Sequence, residues 1–75
     1  MSAKLPAVKP KELVRIAERL GFQFRRQKGS HAIYVRSSDQ ARVVIPMHSN
    51  DLKRKTLRSI IEDLRITLEE FTQLL

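Results

Sequence analysis

The stretch GFQFRRQKGSHAIYVRSSDQARVVIP, residues 21–46, contains three short segments with strand character that are separated by two polar turns. Phe22 and Phe24 alternate with polar residues, and the third segment ends at Pro46. Alternation with a period of two and β-branched or aromatic enrichment are typical of strands, whereas Gly, Ser and Asp clusters are typical of turns. The short connections favour an antiparallel meander, with strands near residues 22–27, 31–36 and 41–45.

Helical periodicity flanks this stretch on both sides. Apolar residues spaced at i, i+3, i+4 and i+7 are Leu13, Ile16, Ala17 and Leu20 before it and Leu57, Ile60, Ile61 and Leu64 after it. This spacing predicts amphipathic helices over residues 10–20 and 54–64. Gly21 suits the end of the first helix, and we expect Asn50 or Asp51 to cap the second.

The C-terminal residues predict a short closing helix. Thr67 and Glu70 have the spacing of a capping box, which indicates a helix over residues 68–75. The element order is therefore α-β-β-β-α-α, an α+β fold. The apolar stripes of the helices need a surface to bury, so we expect the helices on one face of the three-stranded antiparallel sheet and the other face open.

The length and composition predict one small basic domain. The chain has 75 residues, with 15 Lys and Arg against 8 Asp and Glu, a net charge of +7. A chain of this size buries only about 60% of its unfolded surface, so we expect residues 1–75 to form a single domain with a flexible lead at residues 1–9. With no cysteine, no apolar run for a membrane helix and no apolar signal core, we expect a cytoplasmic protein.

The positive charge is unevenly distributed along the chain. Residues 1–30 carry eight basic and two acidic side chains, residues 31–60 carry six and two, and residues 61–75 carry one and four. A concentrated basic surface is typical of a polyanion-binding face, because each Lys or Arg that neutralises a phosphate releases counterions. Nucleic acid is the partner that the charge favours, and a solvated basic surface without a ligand is the alternative.

The residue types present exclude several kinds of chemistry. The eight acidic residues are scattered, no phosphate-cradling Gly-rich loop exists, and no histidine pair has helical zinc-binding spacing. We therefore expect no metal and no cofactor. The remaining candidates for proton transfer are His31 and His48. An imidazole can move a proton at the 2′-hydroxyl or the leaving 5′-oxygen of RNA, which carries its own nucleophile.

Basic residues near His31 suit a phosphate site. The candidates that could neutralise a scissile phosphate are Lys28, Arg25, Arg26 and Arg42, and the backbone at Gly29 permits close approach. Each has a plainer interpretation: His31 as an ordinary half-buried residue at a strand end, and the arginines as charges that protect an edge strand from aggregation. The residue pattern alone leaves both interpretations open.

Several motifs in order along the chain resemble one known family. The matching residues are Gly21-Phe22, Lys28-Gly29-Ser30-His31 with Ile33-Tyr34, Val43-Val44-Ile45-Pro46 with His48, and Thr56-Leu57-Arg58-Ser59-Ile60-Ile61. In this order they resemble the HicA-type toxins, small mRNA interferases of toxin–antitoxin pairs. The resemblance spans roughly residues 8–75. It implies a fold similar to a double-stranded-RNA-binding domain and a HicB-type antitoxin partner.

The resemblance also implies an activity and a site. His31 matches the catalytic histidine of the family, Gly29 and Ser30 match the small residues before it, and His48 matches a frequent histidine that we keep as a secondary candidate. The function expected is a metal-independent endoribonuclease toxin that cleaves mRNA by histidine acid–base catalysis and is neutralised by its antitoxin.

Two other functions compete with this one. The first is a non-catalytic double-stranded-RNA-binding module that uses Lys53, Arg54 and Lys55 at the start of the second helix. The second is an adaptor whose basic face binds an acidic protein. Strand parity raises a further question: strict alternation places His31 on the same face as two β-branched residues, unless the turn at Ser30 breaks the phase.

Overall fold

The structure, a computed structural model, describes residues 5–48 and 52–75. Its elements follow the order α-β-β-β-α-α that the sequence predicts. The helices and strands are α1 Pro10–Arg19, β1 Gln23–Lys28, β2 His31–Arg36, β3 Ala41–Pro46, α2 Arg54–Leu64 and α3 Leu68–Leu74. The three strands form one antiparallel sheet in the order β1-β2-β3. The predicted α+β fold class is confirmed, and each predicted strand boundary lies within one residue of the observed one.

All three helices contribute to one hydrophobic core on a single face of the sheet. The sheet residues in this core are Ala32, Tyr34, Ala41, Val43 and Ile45, which alternate along β2 and β3. They pack with Leu13 and Ile16 of α1, Leu57 and Leu64 of α2, and Phe71 of α3. Full burial of each large apolar side chain contributes about 1.5–3 kcal/mol. The face that carries this core is called the helix face below, and the opposite face the open face.

The chain leaves α1 through a left-handed glycine. Gly21 has a φ of +93°, its N–H donates to the carbonyl of Glu18, and the N–H of Phe22 donates to that of Ala17. These two bonds form a Schellman motif, which satisfies the last carbonyls of the helix. Because Phe22 is tied to the helix end in this way, β1 begins at Gln23 rather than at the predicted Phe22.

The described part of the N-terminal lead is packed rather than free of contacts. Val8 is fully buried in the core, and its carbonyl accepts a hydrogen bond from the N–H of Leu52 with an N···O distance of 3.3 Å. Leu5 is half-buried against the same core. Residues 1–4 of the lead lie outside the described residues.

The caps of α2 and α3 differ in quality. Helix α2 begins at Arg54 with Lys53 as its N-cap and no side-chain cap, so the cap expected at Asn50 or Asp51 is wrong, and those two residues lie outside the described part. The capping box of α3 is confirmed: the Thr67 hydroxyl accepts from the N–H of Glu70, whose carboxylate accepts from the N–H of Thr67.

An arginine and an aspartate hold the β2–β3 turn against the helix layer. The Arg36 guanidinium donates two hydrogen bonds to the Asp39 carboxylate, at 2.8 and 2.9 Å, and one to the carbonyl of Leu20 at 2.9 Å. It also lies 4.6 Å over the Phe22 ring. Arg65 approaches Asp39 at 3.4 Å. The hydrogen bond from Arg36 lowers the pKa of Asp39 to about 2.

We expect Asp39→Asn to weaken the acid dependence of folding. A carboxylate whose pKa is lower in the folded state adds stability above its unfolded pKa near 3.8, and that stability is lost as pH falls towards about 2. The substituted protein therefore has a lower unfolding midpoint at neutral pH and a flatter profile between these two pH values. Urea unfolding across this pH range measures the effect.

The matched control is Asp63→Asn, which removes an exposed carboxylate on α2 that makes no ion pair among residues 5–48 and 52–75. The control should follow the wild-type profile. Parallel profiles for wild type and Asp39→Asn would contradict the role assigned to this ion pair.

Candidate nucleic-acid interface

The β1–β2 turn is a tight two-residue hairpin loop. Lys28 pairs with His31 across it, and the loop residues are Gly29 and Ser30. Gly29 has a φ of +60°, whereas Ser30 has a negative φ, a combination typical of a type II′ turn. The turn is also tied to the end of β3, because the N–H of Met47 donates to the carbonyl of Ser30 at 2.6 Å.

Strand β1 contains one residue more than regular pairing with β2 can accommodate. The pairs are Lys28 with His31, Gln27 with Ala32 and Arg26 with Ile33 beside the turn, and Phe24 with Tyr34 and Gln23 with Val35 farther out. The turn sets the first register. The second is held by an aromatic pair, since the Phe24 and Tyr34 rings meet edge to face with centroids 5.6 Å apart. A β-bulge leaves Arg25 unpaired and absorbs the difference.

The bulge determines which side chains lie on the open face. Directly paired residues lie on the same face of a sheet, so Lys28 lies beside His31 and Arg26 lies beside Ile33. Arg25 and Arg26 are consecutive, yet both line one groove on this face together with Ile33. In a regular strand, consecutive side chains lie on opposite faces. The bulge therefore adds a second arginine to the face that carries His31.

Strand parity along β2 is strict, and it resolves the question raised by the sequence. His31, Ile33 and Val35 share the open face, and Ala32 and Tyr34 share the core of the helix face. The turn at Ser30 does not break the phase. His31 is exposed, whereas Ile33 is only 7% exposed although it lies outside the core cluster, between its strand partners Arg26 and Val44.

A groove of about 730 Å³ occupies the part of the open face farthest from His31. Its lining residues on the open face are Arg25, Arg26, Ile33, Val35 and Arg42, and it extends around the β2–β3 turn to Arg36, Ser37, Gln40 and Ala41. Ion pairs among residues 5–48 and 52–75 join Arg36 and Arg65 to Asp39, and they include neither Arg25, Arg26 nor Arg42. We call this region the arginine groove. The guanidinium groups of Arg25, Arg26 and Arg42, which form no ion pair within the described segments, flank an aliphatic floor formed by Ile33 and Val35.

A second group of residues that were predicted to bind or cleave RNA lies at the end of the open face near His31. Lys28 is the strand partner of His31 on β1, and Pro46 is its partner on β3. His48 follows Pro46 by two residues and is exposed. Tyr34 lies on the helix face, where burial raises the pKa of its hydroxyl. This hydroxyl is therefore not a candidate for proton transfer beside His31.

Not all predicted RNA-binding residues lie at the His31 end of the open face. Lys53, Arg54 and Lys55 are exposed, but they lie at the start of α2, which packs on β3 from the helix face. Arg42 lies in the arginine groove rather than beside His31. The groove also contains Ile33, Val35 and Gln40, which were not among the residues predicted from the sequence, although the parity of Ile33 and Val35 with His31 was a usable signal.

Within residues 5–48 and 52–75, no group of three or more His, Cys, Asp and Glu side chains could together hold a metal ion. None of the helices in these segments is long and apolar enough to cross a membrane.

We expect deletion of Arg25 to remove the bulge and leave the other strand pairs intact. Phe24 then directly precedes Arg26, so both registers continue without interruption, and the loss of one exposed residue should change the unfolding free energy by only about 0.5 kcal/mol. Chemical denaturation together with cross-strand amide contacts in NMR spectra measures both quantities.

Deletion of Ile33 from the central strand is the matched control. This deletion shifts one part of β2 by a residue and moves its apolar side chains to the wrong face, so the control should unfold. If the Arg25 deletion also unfolds the chain, or pairs Gln27 with His31, the explanation of the bulge is wrong.

Comparison with known protein families gives a match that covers most of the chain. The family is described as HicA toxin of bacterial toxin-antitoxin, and it matches residues 10–66. A comparison with curated proteins gives no match. The matched segment begins with α1, contains the whole sheet with His31 and the arginine groove, and ends just beyond α2. The chain belongs to the HicA toxin family of bacterial toxin–antitoxin systems.

Proposed function

We propose that this toxin is a metal-independent endoribonuclease that cleaves mRNA, with His31 as a general acid or base. The observation that carries the proposal is the position of His31, which is exposed on the open face directly beside Lys28 and shares that face with the unpaired arginines. Side-chain hydrogen bonds among residues 5–48 and 52–75 do not involve the His31 ring, which leaves both of its nitrogens available for proton transfer.

The chemistry needs few protein groups, because RNA supplies the nucleophile. The His31 imidazole removes the proton from a ribose 2′-hydroxyl, or gives one to the departing 5′-oxygen. The 2′-oxygen forms a bond to phosphorus as the bond from phosphorus to the 5′-oxygen breaks. Lys28 lies beside His31, where its ammonium can stabilise the extra negative charge on the phosphoryl oxygens. The products carry a 2′,3′-cyclic phosphate and a 5′-hydroxyl.

A second proton-transfer group is needed, and His48 is our candidate. The hydrogen bond from Met47 to Ser30 holds the chain just before His48 against the turn that precedes His31. His48 is exposed, as a group that exchanges protons with substrate must be. Gly29 and Ser30 form the tight turn that fixes the start of β2, and we assign them a positioning role for His31.

We also propose that the partner is a HicB-type antitoxin that covers His31 and Lys28. Membership of the family implies an antitoxin. An exposed histidine beside an exposed lysine on an open sheet face would act on cellular RNA unless another surface covers it. Acidic groups or bulk placed at this end of the face would block the phosphate site.

His31→Ala should lower RNA cleavage by about 100-fold to 10,000-fold, the range typical of a general acid–base group, while the fold and most RNA affinity persist. Lys28→Gln should instead weaken binding and reduce the salt slope of affinity by about 0.7, because one contact with a single-strand phosphate is lost. Cleavage should continue in EDTA. Gel assays of mRNA decay, end-group analysis and binding at several salt concentrations measure these effects.

Two results would overturn the mechanism. One is a His31→Ala variant that cleaves RNA at the wild-type rate, and the other is loss of cleavage when EDTA is added. His48→Ala separates the two histidines, since it should remove one limb of a bell-shaped pH profile of kcat. An unchanged profile would exclude His48 as the second group. Arg58→Gln, which removes an exposed charge on α2, is the control and should cleave like wild type.

The antitoxin proposal predicts the contents of the interface. In a structure of the toxin with its antitoxin, His31 and Lys28 should lose most of their solvent exposure, and excess antitoxin should stop RNA decay. The exposed side chains of α1 are the internal control, and their solvent exposure should stay the same in the complex. A complex in which both residues stay fully exposed would contradict the proposal, even if the antitoxin still inhibits.

One observation favours a second candidate function, the binding of double-stranded RNA without cleavage. Lys53, Arg54 and Lys55 are exposed at the positive end of α2, and the first turn of that helix has no acidic residue. Positive side chains at the N-terminal end of a helix are repelled by the positive end of the helix dipole, so these three residues do not stabilise α2. Duplex binding without RNA decay in the EDTA assay would identify this function, and neither binding nor decay would indicate a protein-binding adaptor.

A further inference from the structure

The arginine groove differs from the His31 end of the open face in chemistry and in position. The floor residues Ile33 and Val35 lie two and four residues along β2 from His31, about 7 and 13 Å away in an extended strand. The far end of the groove therefore lies beyond the spacing of neighbouring phosphates in a nucleic-acid strand. The groove therefore faces a different nucleotide from the one whose phosphate lies at His31.

The lining of the groove combines positive charge with an apolar floor. Arg25 and Arg26 on one side and Arg42 on the other lack carboxylate partners among the described residues. Between them lie Ile33 and Val35. A site for phosphate alone needs the guanidinium groups but gains nothing from an aliphatic floor. A planar base on a charged backbone uses both features, because arginine planes and apolar side chains bind its faces while the charges neutralise phosphate.

We infer that the arginine groove is a subsite for one unpaired nucleotide of the RNA, with its base on Ile33 and Val35 and its phosphate held by Arg25, Arg26 or Arg42. The volume of about 730 Å³ is within the range of about 300–1,000 Å³ that is typical of small-molecule sites. The inference rests on the proposed function, and it specifies the substrate as single-stranded RNA.

Base pairing would prevent this mode of binding. In a duplex the bases are stacked inside, so only sugar and phosphate could reach Ile33 and Val35. Gln40, whose side-chain amide donates to the carbonyl of Ser37 at the rim, is the polar group placed to read a base edge. The groove thus makes Ile33, Val35 and Gln40 candidates for the residues that determine sequence preference.

The test uses a short single strand of 2′-O-methyl RNA, which lacks the nucleophile and cannot be cleaved. Methyl NMR spectra should show upfield ring-current shifts at Ile33 and Val35 as the strand is added. The matched abasic strand has the same charge but no bases, and it should leave these methyl groups nearly unshifted and bind at least about 5-fold more weakly. Val43 and Ile45, buried on the helix face, are internal controls.

A variant pair tests the charge contribution in the same experiment. Arg42→Gln should reduce the salt slope of single-strand affinity by about 0.7 and diminish the methyl shifts. Arg19→Gln, the same change at an exposed position of α1, should leave the methyl shifts as they are in wild type. The annealed duplex should shift Ile33 and Val35 less than the single strand does.

Three outcomes would overturn the subsite: equal shifts with the abasic strand, equal or larger shifts with the duplex, or no shift at Ile33 and Val35 while residues around His31 respond. Because the probe is not cleaved, these results are independent of catalysis. Failure of RNA decay with the unmodified strand would instead count against the proposed endoribonuclease function.

Discussion

Two registers that differ by one residue meet in β1, and the arrangement of the open face depends on how the strand absorbs that difference. The tight turn at Gly29 fixes one register, and the contact between Phe24 and Tyr34 fixes the other. A change in either register would destabilise the sheet. A longer turn would lose the left-handed glycine geometry, and a one-residue slip would move the aromatic residue away from the helix face. The bulge at Arg25 satisfies both.

The consequence is a face with two chemically different ends. Beside the turn, Lys28 and His31 form a compact pair that suits proton transfer next to a phosphate. Farther along β2, Arg25 and Arg26 face Arg42 across an aliphatic floor. A regular β1 would keep one of these arginines and lose the other from the open face. The proposed division into a cleavage end and a base-binding end therefore follows from a single extra residue.

Most of the fold could be predicted because local patterns and packing agree. The sequence signals for the helices agree with the residues that the core buries. These signals are the helical spacing of Leu57 and its neighbours, the Thr67 capping box and the glycine after α1. The expected cap of α2 was wrong because a polar residue in a loop does not show where the first helical turn begins. Lys53 occupies that position without a side-chain bond.

The site could be predicted only in part. The histidine and the basic residues are visible in the sequence, but their distribution over two ends of one face depends on the bulge, which a pattern of period two does not show. Ile33 and Val35 have the composition of core residues. Their alternation with Ala32 and Tyr34 indicates that they share the face of His31, and the pairing of β2 with both neighbours places them outside the helix-face core. The location of Lys53 on another surface depends in turn on how α2 packs on β3.

The composition of the open face depends on the pairing across the β1–β2 turn, which cross-strand NMR contacts measure. We expect backbone contacts between Lys28 and His31 and between Phe24 and Tyr34 in the same molecule, with Arg25 lacking a partner on β2. Contacts between Gln27 and His31 would contradict this pairing, because Lys28 and Arg26 would then leave the face that carries the histidine.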